Sequence, residues 1–259
     1  MTYFTAQDHT ALCNPAATDS DVQQVYDRIY DLHKALYRRI REHNFDLHPS
    51  VDSASIIATG PVAFAGGERA LTLTYFRSWE QAQLVERLMG RDGLSTHTDI
   101  EMRRHPTIEL RLTPSSFAVE LVLSRYAWWD QQNFIGKLAI QRHRESFRSI
   151  MQRMGGDYRV GFWEGADLGD MNVTTRQLLR GNNLNDWMGT FCDGQDSLRI
   201  GAWYEASDPA LDPAQIVNEL MKRIGALYTL YNFILWTSNN DFHSFYRKTV
   251  LKTAQVALY

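Results

Sequence analysis

The chain has 259 residues, 44% of them hydrophobic and 22% charged, with a net charge of -3. That length allows one large domain or two small ones with a substantial core, and the composition excludes a disordered chain. The charge balance excludes a global pull toward nucleic acid or acidic membranes, so any nucleic-acid role needs a local basic patch.

The N-terminus, M-T-Y-F-T-A-Q-D-H, has no basic region followed by an apolar run, so no signal peptide is expected. Residues 1–18 lack periodicity and read as an arm. The rest, 19–259, reads as a single domain with a soft boundary near 164–175. Ser20 and Gln23 form a capping-box pattern. Behind them Val22, Val25, Ile29, Leu32, Leu36 and Ile40 recur at three- and four-residue steps, which predicts a long helix ending near His43. Residues 55–59 read as a short strand, punctuated by Gly60-Pro61 and Gly66-Gly67. Residues 70–76 alternate strictly and predict a strand. Ser78, with Gln81 three residues on, caps a short helix that stops at Gly90. Residues 91–106 are polar and read as a loop. Two strands, 107–112 and 117–124, follow as a hairpin around T-P-S-S. One long helix is expected from about Asp130 to Met154, closed by Gly155-Gly156.

A strand of the form R-V-G-F-W begins at Arg159, and a helical piece covers 175–191. A second strand, R-I-G-A-W, begins at Arg199. Asp212-Pro213 opens a last helix, since Asp caps free amides and Pro fits the first turn. The longest apolar stretch, 224–236, is interrupted by Gly225, Thr229 and Asn232 and is too short to cross a bilayer. The tail, 248–259, is weakly amphipathic and suits packing or dimerisation. This order predicts an α+β fold: a ferredoxin-like βαββαβ core in an antiparallel-rich sheet, with a long N-terminal helix and an extra strand-helix unit at the C-terminus.

The doubled strand is the main functional signal. Side chains alternate along a strand, so Arg159, Gly161 and Trp163 share one face, as do Arg199, Gly201 and Trp203. The opposite faces, including Tyr158, Val160, Ile200 and Tyr204, are apolar and suit a core under helices. Two Arg and two Trp around two glycines can hold an anionic, partly aromatic ligand such as nucleic acid or a nucleotide: Arg neutralises phosphate and Trp stacks on a ring. The plain alternative is Trp packed over Gly in half-buried strands. Arg125, Trp128 and Trp129, in S-R-Y-A-W-W-D-Q-Q-N-F, stand at a strand-to-helix junction and would form the rim of such a site. Arg142, Arg144, Arg148 and Arg153 line up as a basic stripe on the following helix.

His97, Asp99, Glu101 and His105 are the densest set of candidate metal ligands; His97, Asp99, Glu101 and Glu109 would serve a metal-dependent hydrolase, and Asp99, Glu109 and Glu120 a nuclease. Glu109 and Arg111 give E-x-R where a two-metal nuclease would prefer E-x-K. No nucleophile elbow, phosphate loop or H-E-x-x-H is present. Cys13 and Cys192 have neither metal-like spacing nor a disulfide framework, which points to a reducing cytoplasm. The expectation is a non-catalytic recognition domain without a cofactor and away from membranes. A metal-dependent hydrolase and a protein-protein assembly subunit, pairing with another protein or with itself, are the alternatives.

Overall fold

Strand alternation places the apolar side chains of this chain on one face of a single eight-stranded sheet. In the computed structural model, which describes residues 2–13, 19–50, 55–61, 69–91, 93, 100–165, 167–192 and 194–242, the strands are β1 (His48–Pro49), β2 (Ile57–Pro61), β3 (Arg69–Phe76), β4 (Thr107–Leu112), β5 (Ser116–Leu123), β6 (Arg159–Phe162), β7 (Asn172–Thr174) and β8 (Leu198–Glu205). The sheet order is β1-β3-β4-β5-β8-β6-β7, with β2 beside β1 along the same edge of β3. Every pairing is antiparallel. The fold is therefore α+β on an antiparallel sheet, as expected.

The strand order is not that of a ferredoxin-like core. A βαβ unit joins parallel strands by crossing the sheet. Here the helix after β3, α3 (Trp79–Leu88), buries Ala82 in a small cluster with Ile100, Phe76 and Trp79, apart from the main core. It turns the chain at the end of the sheet, and β4 returns antiparallel beside β3. The strand-helix unit expected as a C-terminal extra is central instead. β8 lies between β5 and β6, and α8 (Ile216–Ile234) packs over β4, β5 and β8.

The helical layer buries Leu71, Leu73, Ile108, Leu110, Val119, Leu121, Val160 and Ile200 against Ile224, Leu227 and Tyr231 of α8. α2 (Asp19–Glu42) flanks α8 with Val25, Ile29, Leu32, Leu36 and Ile40, the periodic positions of the sequence. The last helix starts later than Asp212-Pro213 predicts: its cap is Gln215, which makes no side-chain bond, and the Asp212 carboxylate accepts the Ala214 amide at 2.9 Å in the turn before it. No helix of the described residues is long and apolar enough to cross a membrane.

Three segments depart from the sequence reading. Residues 2–13 are not a loose arm. They form α1 (Ala6–Cys13), with Thr5 and Asp8 as a reciprocal cap, and they sink Phe4 and Leu12 into the core. The helix expected over 130–154 breaks into α4 (Trp128–Leu138) and α5 (Gln141–Met154), with Ile140 extended between them. The break has a physical cause. α4 turns a polar stripe inward to cap α8, whereas α5 buries Phe147, Ile150, Met151 and Met154. The piece over 175–191 likewise splits into α6 (Thr175–Leu178) and α7 (Asn183–Met188), around Gly181 at φ 54°. The tail, 248–259, lies outside the described residues, and Ser20 falls within α2, after its first residue.

The polar stripe of α4 consists of Gln131, Asn133 and Lys137, all buried. A helix ends with four carbonyls lacking partners. Lys137 donates to the Phe233 carbonyl at 2.6 Å, and the Asn133 amide donates to those of Ile234 and Leu235. The positive Lys137 also suits the negative end of the helix dipole, although burial pulls its ammonium down to about 8. Gln131 donates to the Ser124 and Asp196 carbonyls and accepts the Gly194 amide. These side chains are consumed by the fold.

Candidate functional site

The sheet face opposite the helices is polar, because the alternate positions of β4, β5 and β8 carry charges. Register lines them up in rows. Thr74, Glu109, Glu120, Gly201 and Arg159 lie side by side across five strands. The row above holds Thr72, Arg111, Ala118 and Trp203, and the row below holds Thr107, Val122, Arg199 and Gly161. The described residues of the loop after β6, 163–165 and 167–171, fold over part of this face, and the Gly165 carbonyl accepts from Arg111 at 3.3 Å.

Beneath that loop the charges pair. Glu120 is fully buried and accepts from Arg111 at 2.6 Å and from Arg199 at 3.1 and 3.2 Å. Glu109 bonds the other arm of Arg111. Burial alone would raise the Glu109 carboxyl, but the Arg111 and Arg199 guanidinium groups outweigh it and hold it below the usual carboxylate range. Gly201 makes this packing possible. A Cβ there would lie 2.6 Å from the Glu120 Cβ.

The two tryptophans meet above this network. Trp163 and Trp203 have ring centroids 5.6 Å apart at 52°. The Trp163 indole folds back over its own strand: a Cβ at Gly161 would lie 2.8 Å from its Cζ3, and one at Gly169 2.7 Å from its Cγ. Both rings are half-buried, and their indole N–H groups are buried with no hydrogen-bond partner among the described residues. The four residues of the doubled strand thus share a face but differ in state. Arg199 is buried and paired with Glu120, whereas Arg159 is exposed and donates to Asn172 at 3.4 Å.

The rim residues adjoin the platform. The Ser197 hydroxyl accepts the Arg125 amide and donates to Glu164, next to Trp163. Arg125 and Tyr126 are exposed, and Arg125 and Arg103 stack on the Tyr126 ring at 4.9 and 4.6 Å. Trp128 is 47% exposed, while Trp129 is half-buried between it and Trp236.

Of the candidate metal ligands, His97 and Asp99 lie outside the described residues, as does Asp99 of the nuclease reading. Glu101 is held by Arg91, Arg103 and Arg104. His105 is buried with its Nε2 3.5 Å from the Glu86 carboxylate. Glu109 and Glu120 do face each other, but each is bound to guanidinium groups.

A dependence of stability on pH follows. Burial lowers the His33 and His105 pKa values, so the unfolded chain takes up protons first and stability falls once pH drops below about 6.5. Burial of Glu86, Glu109 and Glu219 is outweighed by their partners, the His105 hydrogen bond with Arg91 for Glu86, Arg111 and Arg199 for Glu109, and Arg223 with the Tyr204 hydroxyl for Glu219, and Asp157 is held low mainly by its hydrogen bond from Arg223. Their contribution is complete above the unfolded carboxylate range and is lost as pH falls through it, below about 4.5. The urea midpoint should decline gently from pH 7 to 5 and steeply below. A midpoint unchanged between pH 7 and 4 would contradict this account.

In comparison with known proteins, the chain matches no protein-family model and no curated sequence.

Proposed function

We propose that this protein is a non-catalytic recognition domain that binds an anionic, partly aromatic ligand, a nucleotide or a short stretch of nucleic acid, on the open face of its sheet. One observation carries the reading: the two indoles of the doubled strand converge at 5.6 Å on that face, with an exposed arginine beside them. Two half-buried indoles offer their remaining exposed surface to a planar base. Arg159 supplies the charge for a phosphate, and Arg125 with Tyr126 extends the surface beyond Trp163. Arg199 takes another role. Its charge is spent on Glu120, so it supports the face from below.

The hydrolase alternative draws less support, because Glu109 and Glu120 would have to surrender their arginines before holding a metal.

The test is binding of a labelled mononucleotide and a labelled single-stranded oligonucleotide, followed by fluorescence anisotropy at several salt concentrations. Arg159→Ala, at an exposed position, should weaken oligonucleotide binding several-fold and lower the slope of log affinity against log salt by about 0.7, the share of one phosphate contact on a single strand. Trp203→Leu should weaken both probes. If the native protein binds neither probe at low salt, or if Arg159→Ala leaves affinity and salt slope unchanged, the reading fails.

A further inference from the structure

The break between α4 and α5 leaves a groove on the helical side of the molecule, lined by different elements from the sheet face discussed above. α4 ends at Leu138, the chain passes through Ala139 and an extended Ile140, and α5 starts in a new direction. α7 and the residues behind it lie across this corner. Two adjoining cavities of about 280 Å³ each result, and they share Arg144 and Asn185 as walls.

The two halves differ in chemistry. The first is apolar, walled by Phe134, Leu138, Trp187, Met188 and Phe191. Its floor is firm: Phe134 is fully buried, and Trp187 stacks flat on Phe162 of β6 at 4.9 Å and 10°. The second half is polar, walled by Gln141, Glu145 and Arg148. Arg148 is fixed by donating to the Leu179 and Gly181 carbonyls at 3.0 and 3.1 Å. Glu145 accepts from Gln141 at 3.0 Å. Arg144 stands at the junction, half-buried, and among the described residues no hydrogen bond or ion pair holds its guanidinium. The first turn of α5 opens onto the same junction. Its cap, Ile140, offers no side-chain acceptor, so the leading amides and the positive end of the helix dipole add to the field of Arg144.

A cleft of this size with an apolar body and a cationic mouth selects an amphipathic anion. We propose that the α4–α5–α7 groove is a binding site for a small carboxylate with an acyl or aryl body. The apolar body lies between Leu138 and Trp187, and the carboxylate pairs with Arg144 at the α5 N-terminus. This site is independent of the sheet-face ligand and fails or stands without it.

Calorimetric titration of the full chain with octanoate, and with 1-octanol as the uncharged control, tests the proposal. The native protein should bind octanoate more tightly than octanol. Arg144→Gln should weaken octanoate about tenfold, the usual scale for one charge-assisted hydrogen bond, and leave octanol within about twofold. Arg144→Lys should retain most of the octanoate affinity, which separates lost charge from a disturbed fold. Ala139→Trp fills the apolar half from an exposed position and should abolish binding of both, while Arg159→Ala should change neither. The proposal is overturned if the native chain binds no octanoate, if octanol binds as tightly as octanoate, if Arg144→Gln binds octanoate like the native chain, or if Ala139→Trp still binds it.

Discussion

An Asp130→Ala variant is expected to lose about 3–5 kcal/mol of unfolding free energy, the usual result of stranding one member of a buried ion pair. Asp130 and Arg77 are both fully buried, and Arg77 donates to the Asp130 carboxylate at 2.5 Å. The pair also clamps one residue of the chain beyond α8. Asp130 accepts the Trp236 amide at 2.7 Å, and Arg77 donates to the Trp236 carbonyl at 3.1 Å. Without Asp130, the guanidinium remains in the core with only that carbonyl among the described residues, and the Trp236 amide loses its acceptor. Replacing both partners by apolar residues, Arg77→Met with Asp130→Leu, removes the stranded charge and should recover much of the loss. Urea unfolding of the two variants measures the difference. Amide exchange at Trp236 should quicken in the single variant before global unfolding does. A single variant that costs under about 1 kcal/mol would show that the pair contributes little, as many ion pairs do.

A Glu120→Gln variant should be destabilised on a similar scale, about 3–5 kcal/mol, and should also lose ligand affinity on the open sheet face. Glu120 is fully buried and answers two guanidinium groups. Arg111 keeps Glu109 when Glu120 is neutralised, but Arg199 has no second carboxylate at bonding distance among the described residues. The added substitution Arg199→Leu should restore part of the stability, and a double-mutant cycle isolates the coupling of the pair. If Arg199→Leu alone cost as much as Glu120→Gln and the two effects simply added, the residues would act independently and the network described here would be wrong. The two glycines at the crossing limit repair from other directions. A side chain at Gly201 would collide with Glu120, and one at Gly161 with Trp163.

Much of this molecule was legible in local patterns. The apolar steps of α2, the strict alternation of β3 and the two-residue period of β8 are properties of neighbouring residues, and they identified core-facing side chains without any knowledge of strand order. The capping pairs were readable only where a periodic run advertised a helix behind them. Thr5–Asp8 and Thr174–Gln177 went unnoticed because α1 and α6 are too short to show a period. The break at Ile140 was invisible for another reason. Residues 130–154 contain no Gly or Pro beyond Gly136, and the interruption comes from what α4 must cap on α8, nearly 100 residues later.

The candidate site divides the same way. That Arg159, Gly161 and Trp163 share a face, and that Arg199, Gly201 and Trp203 do too, follows from the two-residue period of a strand and needed only the sequence. That these two triplets lie on adjacent strands, with their indoles touching, was decided by β8 inserting between β5 and β6. The same insertion set Arg199 against Glu120, 79 residues away, and so removed one of two apparently equivalent arginines from service to a ligand. Side-chain direction is a local consequence of backbone geometry. Strand order, and with it the cancelling of one charge by another, depends on pairings between distant segments that only the assembled sheet brings within reach.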